Sequence, residues 1–260
     1  MKRALLTALL GTVLCSLGAC NAPIDTELQL RTIVVKLNRG KIQTPAAAKT
    51  AKQRTPTVKR YSPEQVLTIL KPYIKELATP GRPKQEIVEV VLETAKGEIH
   101  CQLFPKETPQ TVANFVALAT GQVNWTSGKK KTKGRFYDGL DFHRAITGFI
   151  IQTGNPGSKP TDGPGWNIIR EKGVPARWAK SGVMGVVESG GDNHGSQFFI
   201  TMKPARHLTG RYTPFGRCTK LNIVRLIGNA PKLPAKAGDK PKIPRDPVQL
   251  KTLRVKRSGS

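Results

Sequence analysis

Acidic residues are scarce. The chain of 260 residues holds 17 Asp and Glu against 43 Lys and Arg, a net charge of +26. Between Arg31 and Arg60 no acidic side chain occurs. This balance excludes a neutral surface and implies attraction to anionic partners such as nucleic acid, lipid headgroups or cell-wall polymers. It does not choose among them. Hydrophobic residues are also thin, at 38%. That argues against a chain packed throughout, and for one globular domain with polar, basic extensions. The four histidines lack the spacing of metal ligands, so neither a metal nor another cofactor is expected. Long apolar runs are absent apart from Ala4 to Leu14, too short to span a bilayer as a mature helix. No internal repeat is visible.

At the N-terminus, Lys2 and Arg3 precede that apolar run, the pattern of a targeting segment that stays out of fold reasoning. Leu17-Gly18-Ala19-Cys20 follows and resembles a bacterial lipobox. The resemblance implies a signal over residues 1–19 and a lipid on Cys20. The plainer reading is a secretory signal that happens to contain Cys. Each buried CH₂ of a lipid contributes about 0.8 kcal/mol, so several acyl chains would hold the protein on a membrane. Residues 20–60 read as a basic, flexible tether, with Leu28 to Leu37 a candidate strand. Of the four cysteines, Cys15 leaves with the signal and Cys20 carries lipid. Cys101 and Cys218 then remain in an oxidising compartment. They fit one disulfide or two buried thiols equally well.

Residues 61–84 read as a short helix and linker. Ser62-Pro63-Glu64 is a helix start. Val66, Leu67, Ile69, Leu70, Tyr73, Ile74 and Leu77 continue at helical spacing until Pro80-Gly81. The main domain is expected over 85–256. Ile87 to Thr94 and Glu98 to Phe104 are strands joined by the turn Ala95-Lys96-Gly97. Thr108-Pro109 caps a helix that faces Val112, Phe115, Val116 and Leu118 inward and stops before Gly121. Trp125 to Arg135 reads as a solvated basic loop. Its lysines lack the interleaved aromatics of a single-strand nucleic-acid binder. Short strands fill 136–218, a helix covers Leu221 to Ile227, Pro231 to Pro247 is extended, and Val248 to Val255 is a last strand. Many short strands with two main-domain helices predict a mainly β fold, a closed barrel with helical caps.

Three blocks carry the chemistry. They are Phe142-His143-Arg144 through Gly154; Gly182-Val183-Met184 with Asn193-His194-Gly195-Ser196-Gln197-Phe198-Phe199-Ile200-Thr201; and Leu208 through Gly216. Their order and spacing, with Thr108 to Phe115 and Phe136-Tyr137-Asp138-Gly139-Leu140, resemble the cyclophilin-type peptidyl-prolyl cis/trans isomerases over about residues 86–255. The resemblance implies an eight-stranded antiparallel closed barrel capped by two α-helices.

Rotation about an X-Pro bond is slow because amide resonance opposes it, with a barrier of about 18–20 kcal/mol. Neither a covalent intermediate nor a cofactor is required. A fixed cation aimed at the prolyl nitrogen favours the twisted amide, and an always-charged arginine suits that task. One charge-assisted hydrogen bond contributes about 1.5–3 kcal/mol, one to two orders of magnitude in rate. The remainder requires an apolar socket for proline. By the resemblance, Arg144 is the catalytic arginine. Phe149, Ile150, Phe199 and Leu208 form the socket, and Gln152 bonds the substrate backbone. Gln197 and His143 line the site. His143 is a positioning group, because the reaction transfers no proton. Phe198 belongs to the core, while His100 and His194 are ordinary polar residues.

Departures from the family concern the substrate. Ile150 stands where many members have Met. Val187-Glu188-Ser189 replaces Ala-Asn-Ala, whose backbone pairs with substrate, and Glu188 would favour basic substrates. Tyr212 aligns with a His, and His207 aligns with a Trp of eukaryotic members, a difference at His207 that argues against tight cyclosporin binding. The expectation is a monomeric, lipid-anchored folding catalyst on the periplasmic side of a bacterial membrane. It would act on unfolded or flexible proline-containing polypeptides, with anionic envelope polymers as further contacts and no specific nucleic acid. Asn21 does not say which membrane. The alternative is a binding module for proline segments with little turnover.

Overall fold

The computed structural model describes residues 57–79, 82–127, 130–157, 162–173, 175–188, 193–236 and 242–257. The expected signal, Cys20, the tether up to residue 56 with its strand at 28–37, and Ser189 lie outside them. Residues 57–60, counted with the tether, are tied to the domain. β1 (Thr57–Val58) runs parallel to β9 (Trp166–Ile169), and Lys59 sits over the rings of Tyr61 and Trp166 at 4.7 and 4.3 Å.

Helix α1 (Pro63–Leu70) starts as the sequence requires. Ser62 Oγ accepts from the Gln65 N–H at 3.2 Å, and Gln65 Oε1 accepts from the Ser62 N–H at 2.9 Å, a reciprocal cap. It ends two turns earlier than the apolar spacing suggests. Pro72 has no N–H to continue the ladder. Ile74 and Leu77, read as helical, instead belong to β2 (Ile74–Thr79), which pairs antiparallel with β3 (Arg82–Thr94). The supposed linker is therefore part of the sheet.

β3 turns through Ala95-Lys96 into β4 (Gly97–Leu103), with Thr94 Oγ1 holding the turn by a 2.7 Å bond to the Gly97 carbonyl. Helix α2 (Pro109–Thr120) follows and is buried from Thr111 to Ala119. Thr108 makes no side-chain cap. Glu171 does that work from 60 residues away. Its carboxylate accepts from the N–H groups of Gln110 and Thr111 at 3.1 and 2.7 Å and from Thr111 Oγ1 at 2.6 Å. An anion at a helix N-terminus also meets the positive end of the dipole. Gly121 ends the helix with φ 74°, a left-handed conformation that suits glycine. The expected loop at 125–135 is a small hairpin, β5 (Trp125–Ser127) with β6 (Lys130–Thr132), pinned by Trp125 edge-on to Phe136 at 4.9 Å.

The barrel comprises β13 (Leu250–Val255), β3, β4, β12 (Pro214–Thr219), β10 (Val183–Glu188), β11 (Asn193–Thr201), β8 (Ile150–Thr153) and β7 (Arg144–Ile146), each antiparallel to the next. Closure comes from the stretch leading into β7. Leu250 N–H donates to the Leu140 carbonyl at 2.8 Å and Phe142 N–H to the Val248 carbonyl at 2.9 Å, while Asp141 bridges Gln249. Eight strands thus close into a ring, as the resemblance implied. Phe115, Tyr137, Phe198 and Phe215 meet inside it. α2 packs on β11 and β13, and α3 (Asn222–Gly228) on β4, β7 and β8. Cys101 and Cys218, directly opposite on β4 and β12, form a buried disulfide. This settles which of the two readings of that pair applies.

Candidate active site

Strand alternation creates the site. Ala145, Ile151, Ile200 and Met184 lie in register across β7, β8, β11 and β10, and all belong to the interior core. The neighbouring row, Arg144, Gln152, Phe199 and Gly185, must therefore face outward. Phe198 and Phe199 divide the same way: the first joins the interior, the second an outer apolar cluster with Ile150, Trp178, Val183, Ala205 and Leu208. Ile146, Phe149, Val187 and Tyr212 pack around that cluster.

A polar chain borders the apolar patch. Arg144 Nη1 donates to Gln152 Oε1 at 3.0 Å, Gln152 Nε2 to Gln197 Oε1 at 3.0 Å, and Gln197 Nε2 to the Asp162 carbonyl at 3.1 Å. Both glutamines are buried, which fixes the guanidinium they lead to. Burial lowers Arg144 from its ordinary pKa, and Tyr212 opposes that shift. Arginine nevertheless remains a cation at neutral pH. His143 is lowered chiefly by burial and also by the Arg144 charge, against the Asp141 carbonyl and carboxylate. A ring held below an already near-neutral value is uncharged at pH 7. It stands 3.5 Å from Gln152 Nε2 and supports the polar chain from its edge.

On the other flank, Phe149 meets the exposed His207 ring at 5.3 Å, and Tyr212 stands edge-on to Phe199 at 5.4 Å. Glu188 is met within the protein: Arg170 Nη1 lies 3.4 Å from its carboxylate and also donates to the Gly210 carbonyl at 2.7 Å. An attraction for basic substrates, expected from Glu188, is blunted by that pair. With Ser189 excepted, the site residues expected from sequence come together on one outer face of the barrel. Among the described residues no group of three or more metal-ligating side chains occurs.

Two contributors escaped the sequence reading. Trp178, 1% exposed, stacks on Phe199 with ring centres 5.8 Å apart. It arrives on a 3-10 turn, Pro175–Ala179, that has no periodicity to mark it. Gly185 lies beneath both rings. A Cβ there would stand 2.5 Å from Phe199 Cζ and 2.6 Å from Trp178 Cη2. A glycine inside a strand, where backbone and a neighbour approach closely, was the available signal.

A closed barrel carrying an arginine beside an outward-facing aromatic socket has the form of a rotamase. The model of the Cyclophilin type peptidyl-prolyl cis-trans isomerase/CLD family matches residues 89–254, and the chain belongs to that family, enzymes that turn the peptide bond before proline. It is 40% identical over 133 residues to "Peptidyl-prolyl cis-trans isomerase B" of Streptomyces anulatus, covering 50% of this chain and 76% of the relative. Against "Probable peptidyl-prolyl cis-trans isomerase A" of Mycobacterium bovis it is 34% identical over 166 residues, 63% of this chain and 90% of the relative. A crystal structure of a Cryptosporidium parvum cyclophilin type peptidyl-prolyl cis-trans isomerase superposes with TM-score 0.54 at 25% identity, over 65% of this chain and 98% of that one.

Proposed function

We propose that Arg144 catalyses the isomerisation by donating a hydrogen bond to the prolyl nitrogen, with proline seated on Phe149, Ile150, Phe199 and Leu208. The observation that carries this is the register of Arg144, Gln152 and Phe199 across three adjacent strands. It sets a fixed cation and an apolar floor side by side. As the amide twists, its nitrogen regains a lone pair, and a preorganised donor binds that state better than the planar one. Gln152, held by Arg144 and Gln197, aligns the substrate backbone. His143, neutral and transferring no proton, positions Gln152. Val187 and the backbone around Glu188 form the edge on which the peptide lies.

A proline-peptide isomerisation assay on the purified domain tests this. Arg144→Ala should lower kcat/KM by about ten- to a hundredfold, the worth of one charge-assisted bond. Activity indifferent to that substitution would sink the assignment.

The same reading places the enzyme outside the cytoplasm. It would be a monomer held by lipid on Cys20 at the periplasmic side of a membrane, working on unfolded proline-containing chains beside anionic envelope polymers. Leu17-Gly18-Ala19-Cys20 supports this, and so does the Cys101–Cys218 disulfide, a bond that persists in oxidising compartments.

A further inference from the structure

The carboxylates nearest the apolar side of the groove are already engaged. Glu188 is paired with Arg170. Glu171 caps α2. Glu107 accepts two hydrogen bonds from Arg177, next to Trp178. The cations there are not so engaged. Lys203, Arg206 and Arg211 are exposed, and among the described residues no carboxylate pairs with them. Each adjoins a piece of the groove. Lys203 follows Met202, whose N–H donates to the Phe149 carbonyl at 2.8 Å. Arg206 precedes His207 and the buried Leu208 on one 3-10 turn. Arg211 precedes Tyr212, which lies against Phe199. The sequence sharpens the asymmetry: from Asn193 to Gly238 it has no Asp or Glu. Apart from the paired Glu188, the acidic residues of the site stand by the polar chain. Asp141 lies beside His143, and the Asp162 backbone bonds Gln197.

We propose that this groove selects polypeptides carrying acidic residues next to the proline, held by a positive rim of Lys203, Arg206 and Arg211. The proposal deepens the reading above and rests on it, because it names the substrate class of that same site. Unpaired rim charges act over about a Debye length, roughly 8 Å at physiological salt, so they sense residues one or two places from the proline. They steer encounter and weak binding rather than the twisting step. The preference is thus expected in KM and to vanish with salt.

Three peptides that differ only in Glu, Gln or Lys beside the X-Pro bond, placed first on one side and then on the other, supply the test. At low salt the Glu peptide should exceed the Lys peptide in kcat/KM by about three- to tenfold for at least one placement, with the ratio falling towards one in high salt. The double variant Arg206→Glu, Arg211→Glu should invert that order, the Lys peptide then exceeding the Glu peptide. Equal rates for Glu and Lys peptides, or a preference that survives the reversal, would overturn the proposal. Heparin inhibition equally strong in the reversed variant would also overturn it, because anion attraction would then reside elsewhere on the surface. The Gln peptide reports separately on the active-site assignment, which fails if its turnover is indifferent to Arg144→Ala.

Discussion

Gly185 is the residue on which the socket's geometry turns. Phe199 keeps its place only because nothing projects from the strand beneath it, where Trp178 stacks against it. Gly185→Ala should push both rings outward. Overpacking of this kind costs about 1–3 kcal/mol, and at about 1.4 kcal/mol per tenfold a comparable loss in the transition state lowers kcat/KM about tenfold. Adding Trp178→Leu makes room again and should restore most of the activity. If the single variant is as active as the parent, the rings do not depend on that space. At this scale the reading leaned on the resemblance, which put Arg144, Gln152 and Phe199 in the site; the structure sets those three in one register row and leaves Phe198 in the core. Trp178 was illegible because its position depends on a turn folding back over strands distant in sequence.

At the scale of elements, starts were easier to read than stops and partners. Ser62 and Pro63 announce α1 through bonds three residues long. Its end at Leu70, and the pairing of Ile74 with Val88 on the next strand, lost to an apolar spacing that fits helix and strand alike. The cap on α2 lies further still from local reading. Thr108 has the right chemistry, yet Glu171 occupies the N-terminus. Glu171→Ala should therefore destabilise the domain by about 1–2 kcal/mol, the usual worth of a helix cap, whereas Thr108→Ala should cost less. Chemical denaturation of the two variants checks the order, and an equal or reversed order would return the cap to Thr108. The parallel partnership of β1 with β9 had no sequence signal, since two residues cannot display a period.

For the molecule as a whole, the closed ring and the disulfide make stability a long-range property. Cys101 and Cys218 are 117 residues apart and sit in the interior. A cross-link over so long a loop restricts the unfolded chain strongly, and its loss typically costs about 2–5 kcal/mol. Replacing both cysteines by alanine should lower the melting temperature by several degrees in non-reducing buffer, while added reductant should leave the variant unmoved. An unchanged melting temperature would show that packing alone holds β4 to β12. A closed barrel was legible from many short strands and two main-domain helices and from the family resemblance, but the seam that closes it was not. It is made by backbone groups of residues 139–142 meeting 248–250, which no side-chain pattern encodes.

That closure sets an order of events. The strand bearing Arg144 is hydrogen-bonded on one side to β8, and on the other Ala145 N–H donates to the Lys242 carbonyl, just before the segment that seals the ring. In sequence, the apolar floor is complete by Tyr212. The strand that carries the guanidinium gains its second edge only after residues 242–250 have been made and returned across the barrel. A chain cut short before Leu250 would therefore carry every residue of the site without the seam that closes the barrel beside the strand of Arg144.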